Sequence, residues 1–234
     1  MAHANVAERI RRTRLQNESE EYLAKREELR LAEIEEMRFR EKVAEMRRNL
    51  PKGAAVPDFE FIDCSADPAR NVSMSALFTR ADRALVLYQF MYGKQQKEPC
   101  PMCTMFIDGL NGVAHHVADN VDLAIVAASS PEALREHARK RGWDKLRLLT
   151  TPPGSTFKYD MGSEDEQGVQ DSTISVFTME PTGTIRHFYT AHPSMAPDIR
   201  ERGIDLLCAV YNVLDLTPKG RGEWYAQLDY SRKP

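Results

Sequence analysis

The chain has 234 residues, 32 of them basic and 35 acidic, for a net charge of −3, and 42% of it is apolar. That balance argues against a nucleic-acid binder working through a basic surplus, while length and apolar content suit a globular protein with one well-buried core. The longest apolar runs, 84–92 and 121–128, are about half a membrane span, so no transmembrane helix is expected.

The charge is unevenly spread. Residues 1–50 hold 12 Lys/Arg, 11 Asp/Glu and neither Gly nor Pro, whereas all 13 Pro and 12 Gly fall in the remainder. An N-terminal helical arm (1–50) and a second domain (51–234, including the C-terminal tail) are therefore expected. Ala, Glu, Arg, Leu and Met favour helix over 5–49. Glu8/Arg12, Glu21/Lys25 and Glu36/Arg40 are i,i+4 pairs. Asn17 and Glu20 form a candidate N-cap and capping box, which predicts a break near 16–19. Phe39, Val43, Met46 and Leu50 make one thin apolar stripe. So little apolar surface does not fold alone, and a homodimer is the expectation. Arg9, Arg11, Arg12 and Arg14 hint at a transit peptide, but Glu8 and the acidic run after it oppose that reading. With no signal-peptide pattern, a cytoplasmic location is expected.

Beyond Pro57 the pattern changes. Phe59–Asp63 alternates as a short edge strand does. Ala84–Tyr92 reads as a strand buried on both faces, and Cys103–Asn120 as a helix with Phe106, Leu110, Val113 and Val117 on one side. Val121–Ala128 is a second buried strand. Ser130-Pro131-Glu132 opens a helix as N-cap, first-turn proline and first-turn acid, and Gly142 closes it. Leu146–Thr150 is a short strand, and Thr151–Asp171 a long Gly/Pro/Ser/Asp-rich segment. Thr173–Thr178 and Thr184–Thr190 form a hairpin about Glu180-Pro181-Thr182-Gly183. Asp198–Leu214 reads as a last amphipathic helix, followed by an irregular tail. Strands alternating with helices, then a hairpin, predict an α/β fold: a mixed sheet sandwiched by helices.

Cys100-Pro101-Met102-Cys103 follows the first buried strand and opens the next helix. A helix N-terminus stabilises a thiolate through its unpaired N–H groups and its dipole, so Cys100 is the candidate nucleophile. Cys103, one turn inside, is placed to resolve a mixed disulfide, and Pro101 has no N–H to waste at the helix entry. The competing reading is zinc, which wants four ligands. Cys64, Cys208 and scattered histidines do not supply a second pair, and adjacent His115 and His116 are expected to point in different directions. No metal and no cofactor are called for.

These features resemble the thioredoxin superfold. Within it, Ala55–Phe61 (AVPDFEF) resembles the opening strand of peroxiredoxins, and Thr173–Tyr189 their strand–turn–strand. The chain resembles more closely the DUF899 family of thioredoxin-like proteins, regarded as dithiol-disulfide oxidoreductases. The carrying residues are Arg47–Pro51 (RRNLP), Tyr88–Gly93 (YQFMYG), Arg141-Gly142-Trp143, Phe157–Gly162 (FKYDMG) and Leu214–Arg221 (LDLTPKGR). The resemblance implies a thioredoxin-like fold and thiol-disulfide exchange. Two departures stand out. No proline precedes the strand at Thr173, where thioredoxins keep a cis-Pro, and Lys97 stands three residues before Cys100, where peroxiredoxins have Thr or Ser.

Trp143, Tyr159 and Asp160 come from loops near strand ends, where ligands of open α/β sheets bind. With Pro101 and Met102 they are candidate substrate contacts. His187 is expected to face solvent from its strand, and Cys64 and Cys208 to be ordinary thiols, Cys208 on the apolar face of the last helix. The resulting expectation is an oxidoreductase acting on a thiol or disulfide, protein or small molecule, through Cys100 and Cys103. A thioredoxin-fold binding or assembly module without turnover and a peroxiredoxin-like thiol peroxidase stay open beside it.

Overall fold

A computed structural model describes residues 13, 15–93, 95–199 and 202–230. They divide into two compact units between Leu50 and Pro51.

The first unit is built on helix α1, Glu20–Arg48. Its start corrects the expected cap. Ser19, not Asn17, accepts from the Tyr22 N–H, and Asn17 takes a left-handed turn conformation with φ 68°. The break near 16–19 is thus real, and the cap lies at its far end. The predicted helix over 5–12, the Glu8/Arg12 pair and the four arginines from Arg9 to Arg14 lie outside the described residues. Glu36 and Arg40 pair as expected, whereas Lys25 pairs with Glu28 rather than Glu21. No residue of α1 is buried.

In the second unit the described residues form one seven-stranded mixed sheet. Its strands are β1 (Glu60–Asp63), β2 (Arg70–Ser73), β3 (Leu85–Gln89), β4 (Asp122–Ala127), β5 (Arg147–Thr150), β6 (Thr173–Met179) and β7 (Ile185–Ala191). The order is β2-β1-β5-β4-β3-β6-β7. β3, β4 and β5 are parallel, joined through α2 (Pro101–Val117) and α3 (Pro131–Arg141). β6 is antiparallel to β3, and β7 to β6. A β3–α2–β4 unit beside a β6–β7 hairpin is the thioredoxin-like arrangement, so the expected fold class holds. β1 is not an edge strand, because β2, which the sequence pattern did not reveal, pairs outside it. The long segment after β5 holds a short helix, α4 (Phe157–Asp160).

The last helix is much shorter than expected. It is α5, Ala209–Asp215, preceded by a 3-10 turn at Asp205–Leu207 and by an extended Cys208. Two contacts explain the interruption. A Cβ on Gly203 would lie 1.8 Å from the His192 carbonyl oxygen, so the backbone is pressed there against another segment. Buried Asp205 is also held by Arg202 at 2.7 Å and Arg221 at 3.3 Å, and those pairs fix a turn rather than a helix.

Apolar residues fill both faces of the sheet. On one, Tyr88, Phe90, Phe106, Ile107, Leu134 and Tyr211 pack with Cys103. On the other, Phe59, Phe61, Leu85, Leu87, Phe157 and Phe177 pack together. Alternation along β3 feeds both cores, as a strand buried on two faces requires. Among the described residues no helix is long and apolar enough to cross a membrane.

Candidate active site

The turn after β3 leads directly into α2, and Cys100 is the N-cap of that helix. Its own N–H donates to the Met91 carbonyl at 3.1 Å, which ties the cap to the end of β3. The Cys100 carbonyl accepts from the Thr104 N–H and from Thr104 Oγ1, each at 3.0 Å. Cys100 Sγ accepts from the Cys103 N–H at 3.4 Å, so the sulfur occupies the position of a capping oxygen. Cys100 is half-buried and Cys103 buried; neither is in a disulfide.

This geometry separates two chemically identical groups. The hydrogen bond from the Cys103 thiol, helped by the N–H groups of Cys103 and Met102, brings the Cys100 thiol down to about 7, against burial and the nearby Asp171 carboxylate. The same hydrogen bond, with burial and the charge of Cys100, pushes Cys103 far above the ordinary thiol range; the Met91 N–H works the other way. Cys64 and Cys208 are raised by burial. Cys208 caps α5 rather than lying along a longer helix.

Beside Cys100, Thr104 Oγ1 is 3.2 Å from His137 Nε2. Because this hydroxyl donates to the Cys100 carbonyl, the ring nitrogen acts as donor to it. His137 sits among Phe90, Tyr92 and Trp143, with centroids 6.0, 6.2 and 5.1 Å away. Burial, then Arg141, lowers its pKa, which favours the neutral ring. With Tyr92, Lys97 and Pro99 it lines a cavity of about 330 Å³ next to the helix entry.

The other sequence-derived candidates scatter. Pro101 is half-buried in the first turn of α2, and Met102 is buried behind it. Trp143 is only 5% exposed, and its Nε1–H donates to Asp108 at 2.8 Å, so it supports the core around His137. Tyr159 is 51% exposed on α4. Asp160 accepts from Thr156 Oγ1 at 2.7 Å and borders a different cavity, with His187 and His192. His187 is only partly open to solvent. A bulge between Val176 and Phe177 sets it opposite Phe177, half-buried and 2.7 Å from Thr190 Oγ1. His115 and His116 do not diverge either; their rings lie 3.8 Å apart. Among the described residues, no three His, Cys, Asp or Glu side chains gather as a metal site would require.

Pattern reading missed three neighbours of the pair. Tyr88, on β3, is fully buried, and burial followed by the charge of Cys103 raises its phenol. Its hydroxyl makes no hydrogen bond of ordinary geometry. Asp171 lies in the loop before β6, and its charge acts on Cys100. Lys158, on α4, is buried and donates to the Phe90 carbonyl at 3.4 Å. The FKYDMG run held the signal for Lys158, but nothing in its spacing says that the lysine turns inward.

A family model described as "Bacterial protein of unknown function (DUF899)" matches residues 12–233. No curated protein matches. Several solved structures are similar to the chain. Peroxidoxin BcpB from Mycobacterium tuberculosis is 17% identical, with a TM-score of 0.46 over 71% of this chain and 99% of that one. Reduced Prx3 in complex with hydrogen peroxide, from Vibrio vulnificus, is 15% identical, with a TM-score of 0.47 over 69% and 99%. AhpC from Enterococcus faecalis is 15% identical, with a TM-score of 0.46 over 67% and 87%.

Proposed function

The chain belongs to the DUF899 family, and we propose that it is a thiol-disulfide oxidoreductase with Cys100 as attacking thiolate and Cys103 as resolving thiol. One observation carries this reading: Cys100 Sγ caps α2 and takes the Cys103 N–H, which together with the Cys103 thiol keeps it near 7. About half of Cys100 is then thiolate at neutral pH, against a few per cent for an unperturbed thiol.

The cycle follows from the positions. The Cys100 thiolate attacks a substrate disulfide, forming a mixed disulfide and releasing one substrate thiol. Cys103 then attacks Cys100 Sγ, the Cys100–Cys103 disulfide forms, and the second substrate thiol leaves; two electrons pass to the substrate. Run backwards, the same steps oxidise a dithiol. Thr104 fixes the cap through the Cys100 carbonyl, and His137 fixes Thr104. Pro101 and the cavity at Tyr92, Pro99 and His137 supply the contact surface for a protein or small-molecule substrate, with Met102 behind it. Homodimeric, cytoplasmic protein is part of the same proposal.

Reduction of a protein disulfide such as insulin, with dithiothreitol as electron source, tests the assignment. Cys100→Ser is expected to abolish turnover while circular dichroism stays unchanged, and Cys103→Ser to accumulate a mixed disulfide visible by mass spectrometry. Undiminished turnover in Cys100→Ser would sink the reading. Peroxide consumption outpacing disulfide exchange would replace it with a peroxidase.

A further inference from the structure

Lys158 is the only buried lysine or arginine among the described residues, at 2% exposed. The two buried acids each have an arginine partner, Asp63 with Arg147 and Asp205 with Arg202 and Arg221. Lys158 has no carboxylate within ion-pair distance among the described residues. Its Nζ instead donates to the Phe90 carbonyl at 3.4 Å, an oxygen that also accepts the Tyr92 N–H at 2.8 Å. Its flank lines a polar cavity of about 260 Å³ with Gln95, Thr151, Ser155 and Glu164, at the C-terminal ends of β4 and β5.

The Phe90 carbonyl and the Met91 N–H belong to one peptide unit; Met91 packs against the cluster that buries Cys103, and its N–H favours the Cys103 thiolate. In a trans peptide the C=O and N–H point in opposite directions. Lys158 and Cys103 therefore sit on opposite sides of a single peptide bond, one at each pole of its dipole. α4 reaches that bond from the sheet face that buries Phe157, and α2 from the face that buries Cys103.

We propose that Lys158 is a positioning residue for the second thiol: its ammonium, held on the Phe90 carbonyl, polarises the Phe90–Met91 peptide so that the Met91 N–H stabilises the Cys103 thiolate as it attacks. This inference rests on the dithiol reading above. In the mixed disulfide Cys100 carries no charge, so the hydrogen bond to its thiolate and the repulsion from it, which with burial hold Cys103 protonated in the reduced protein, are gone and burial alone remains. Cys103 gives its proton to solvent, the Cys103–Cys100 bond forms, the bond from Cys100 to the substrate sulfur breaks, and the departing thiolate takes up a proton. The groups acting on Lys158 are Glu164 and Asp171 from the loop after α4, and Cys103 from α2. Burial lowers Lys158 to about 8, opposed by Glu164, by Cys103 when it is a thiolate and by Asp171, so it is mostly charged at pH 7. Those acting on Cys103 are Cys100 of the same helix, Tyr88 of β3 and the Met91 N–H.

Stopped-flow reaction of the full-length reduced protein with the chromogenic disulfide 5,5′-dithiobis(2-nitrobenzoate) separates the two steps, in a Cys64→Ser, Cys208→Ser background. The first chromophore release reports Cys100 attack and the second reports Cys103 resolution. If Lys158→Met raises Cys103 by about one pH unit, thiolate falls about tenfold while each thiolate becomes about threefold more nucleophilic. The second phase is then expected to slow about threefold at pH 7, and the deficit to close as pH rises past about 8, where Lys158 in the parent has itself lost its proton, with the first phase unchanged. Converging pH profiles are the signature, because a loosened fold would slow the reaction at every pH, above pH 8 as well as below it. A second phase that superimposes on the parent's, or that slows equally at every pH, overturns the role of Lys158. Absence of a second release in the parent, or its survival in Cys103→Ser, overturns the dithiol reading instead. If Lys158→Met does not fold, Glu164→Gln carries the test. It removes an anion that holds the ammonium charged and is expected to slow the second phase between pH 7 and 8; an unchanged phase there also overturns the proposal.

Discussion

Cys100 and Cys103 differ in chemistry because one hydrogen bond drives them apart, lowering the acceptor sulfur and raising the donor. Alkylation of Cys100 by iodoacetamide is therefore expected to titrate with a midpoint of about 7, moving up in Cys103→Ala, where the N–H donors remain but the thiol donor is lost. Lys158 makes the converse point about stability. The folded state holds its proton less tightly than the unfolded chain between pH 8 and 10.5, so its contribution rises through that window and its full cost falls below pH 8. That cost is about 3 kcal/mol by linkage. Urea denaturation should show Lys158→Met more stable than the parent by up to about 3 kcal/mol at pH 7, with the advantage shrinking toward pH 10.5. A buried ammonium kept at such a cost fits a part in the chemistry better than a part in packing. At this scale the Cys-Pro-Met-Cys spacing was fully readable, since capping and thiol chemistry are local. Lys158, Tyr88 and Asp171 were not, because a side chain's burial depends on which segments pack over it.

Helices and strands with local punctuation were read correctly, and those shaped by contact were not. α3 has the expected frame: Ser130 Oγ accepts from the Ala133 N–H at 3.2 Å, and Gly142 closes the helix at φ 70°. Ser130→Ala is expected to lower stability by about 1 kcal/mol through the orphaned N–H. Gly142→Ala should cost a similar amount, since a Cβ disfavours the left-handed region by about 1–2 kcal/mol. Thermal denaturation followed by circular dichroism checks both. α3 also carries His137, so each variant tests whether the Thr104–His137 contact survives a looser helix. By contrast, β2 has no alternation strong enough to announce it; its residues are exposed or half-buried, and β1 templates it. The run 198–214 had helical spacing, yet the Gly203 contact and the Asp205 ion pairs overrode it.

For the whole chain, the compositional division at residue 50 and the division into compact units fall at the same place. α1 exposes Tyr22, Leu29, Met37, Phe39 and Met46, and its ion pairs are solvent-exposed and contribute little. Sedimentation equilibrium at micromolar concentration is expected to return twice the 26.7 kDa chain mass, falling to the single mass when Phe39 and Met46 are both replaced by Glu. A single-chain mass for the unaltered protein would rule out the dimer. The sequence by itself determined the α/β alternation, the caps of α3 and the thiol pair at a helix entry, because each depends on residues within a turn or two of one another. Only the tertiary structure decided the strand order, the break before α5 and the identity of the cation behind Cys103. Those rest on contacts between segments tens of residues apart, such as Lys158 on the Phe90 carbonyl, and no local periodicity encodes which of two distant segments will bury the other.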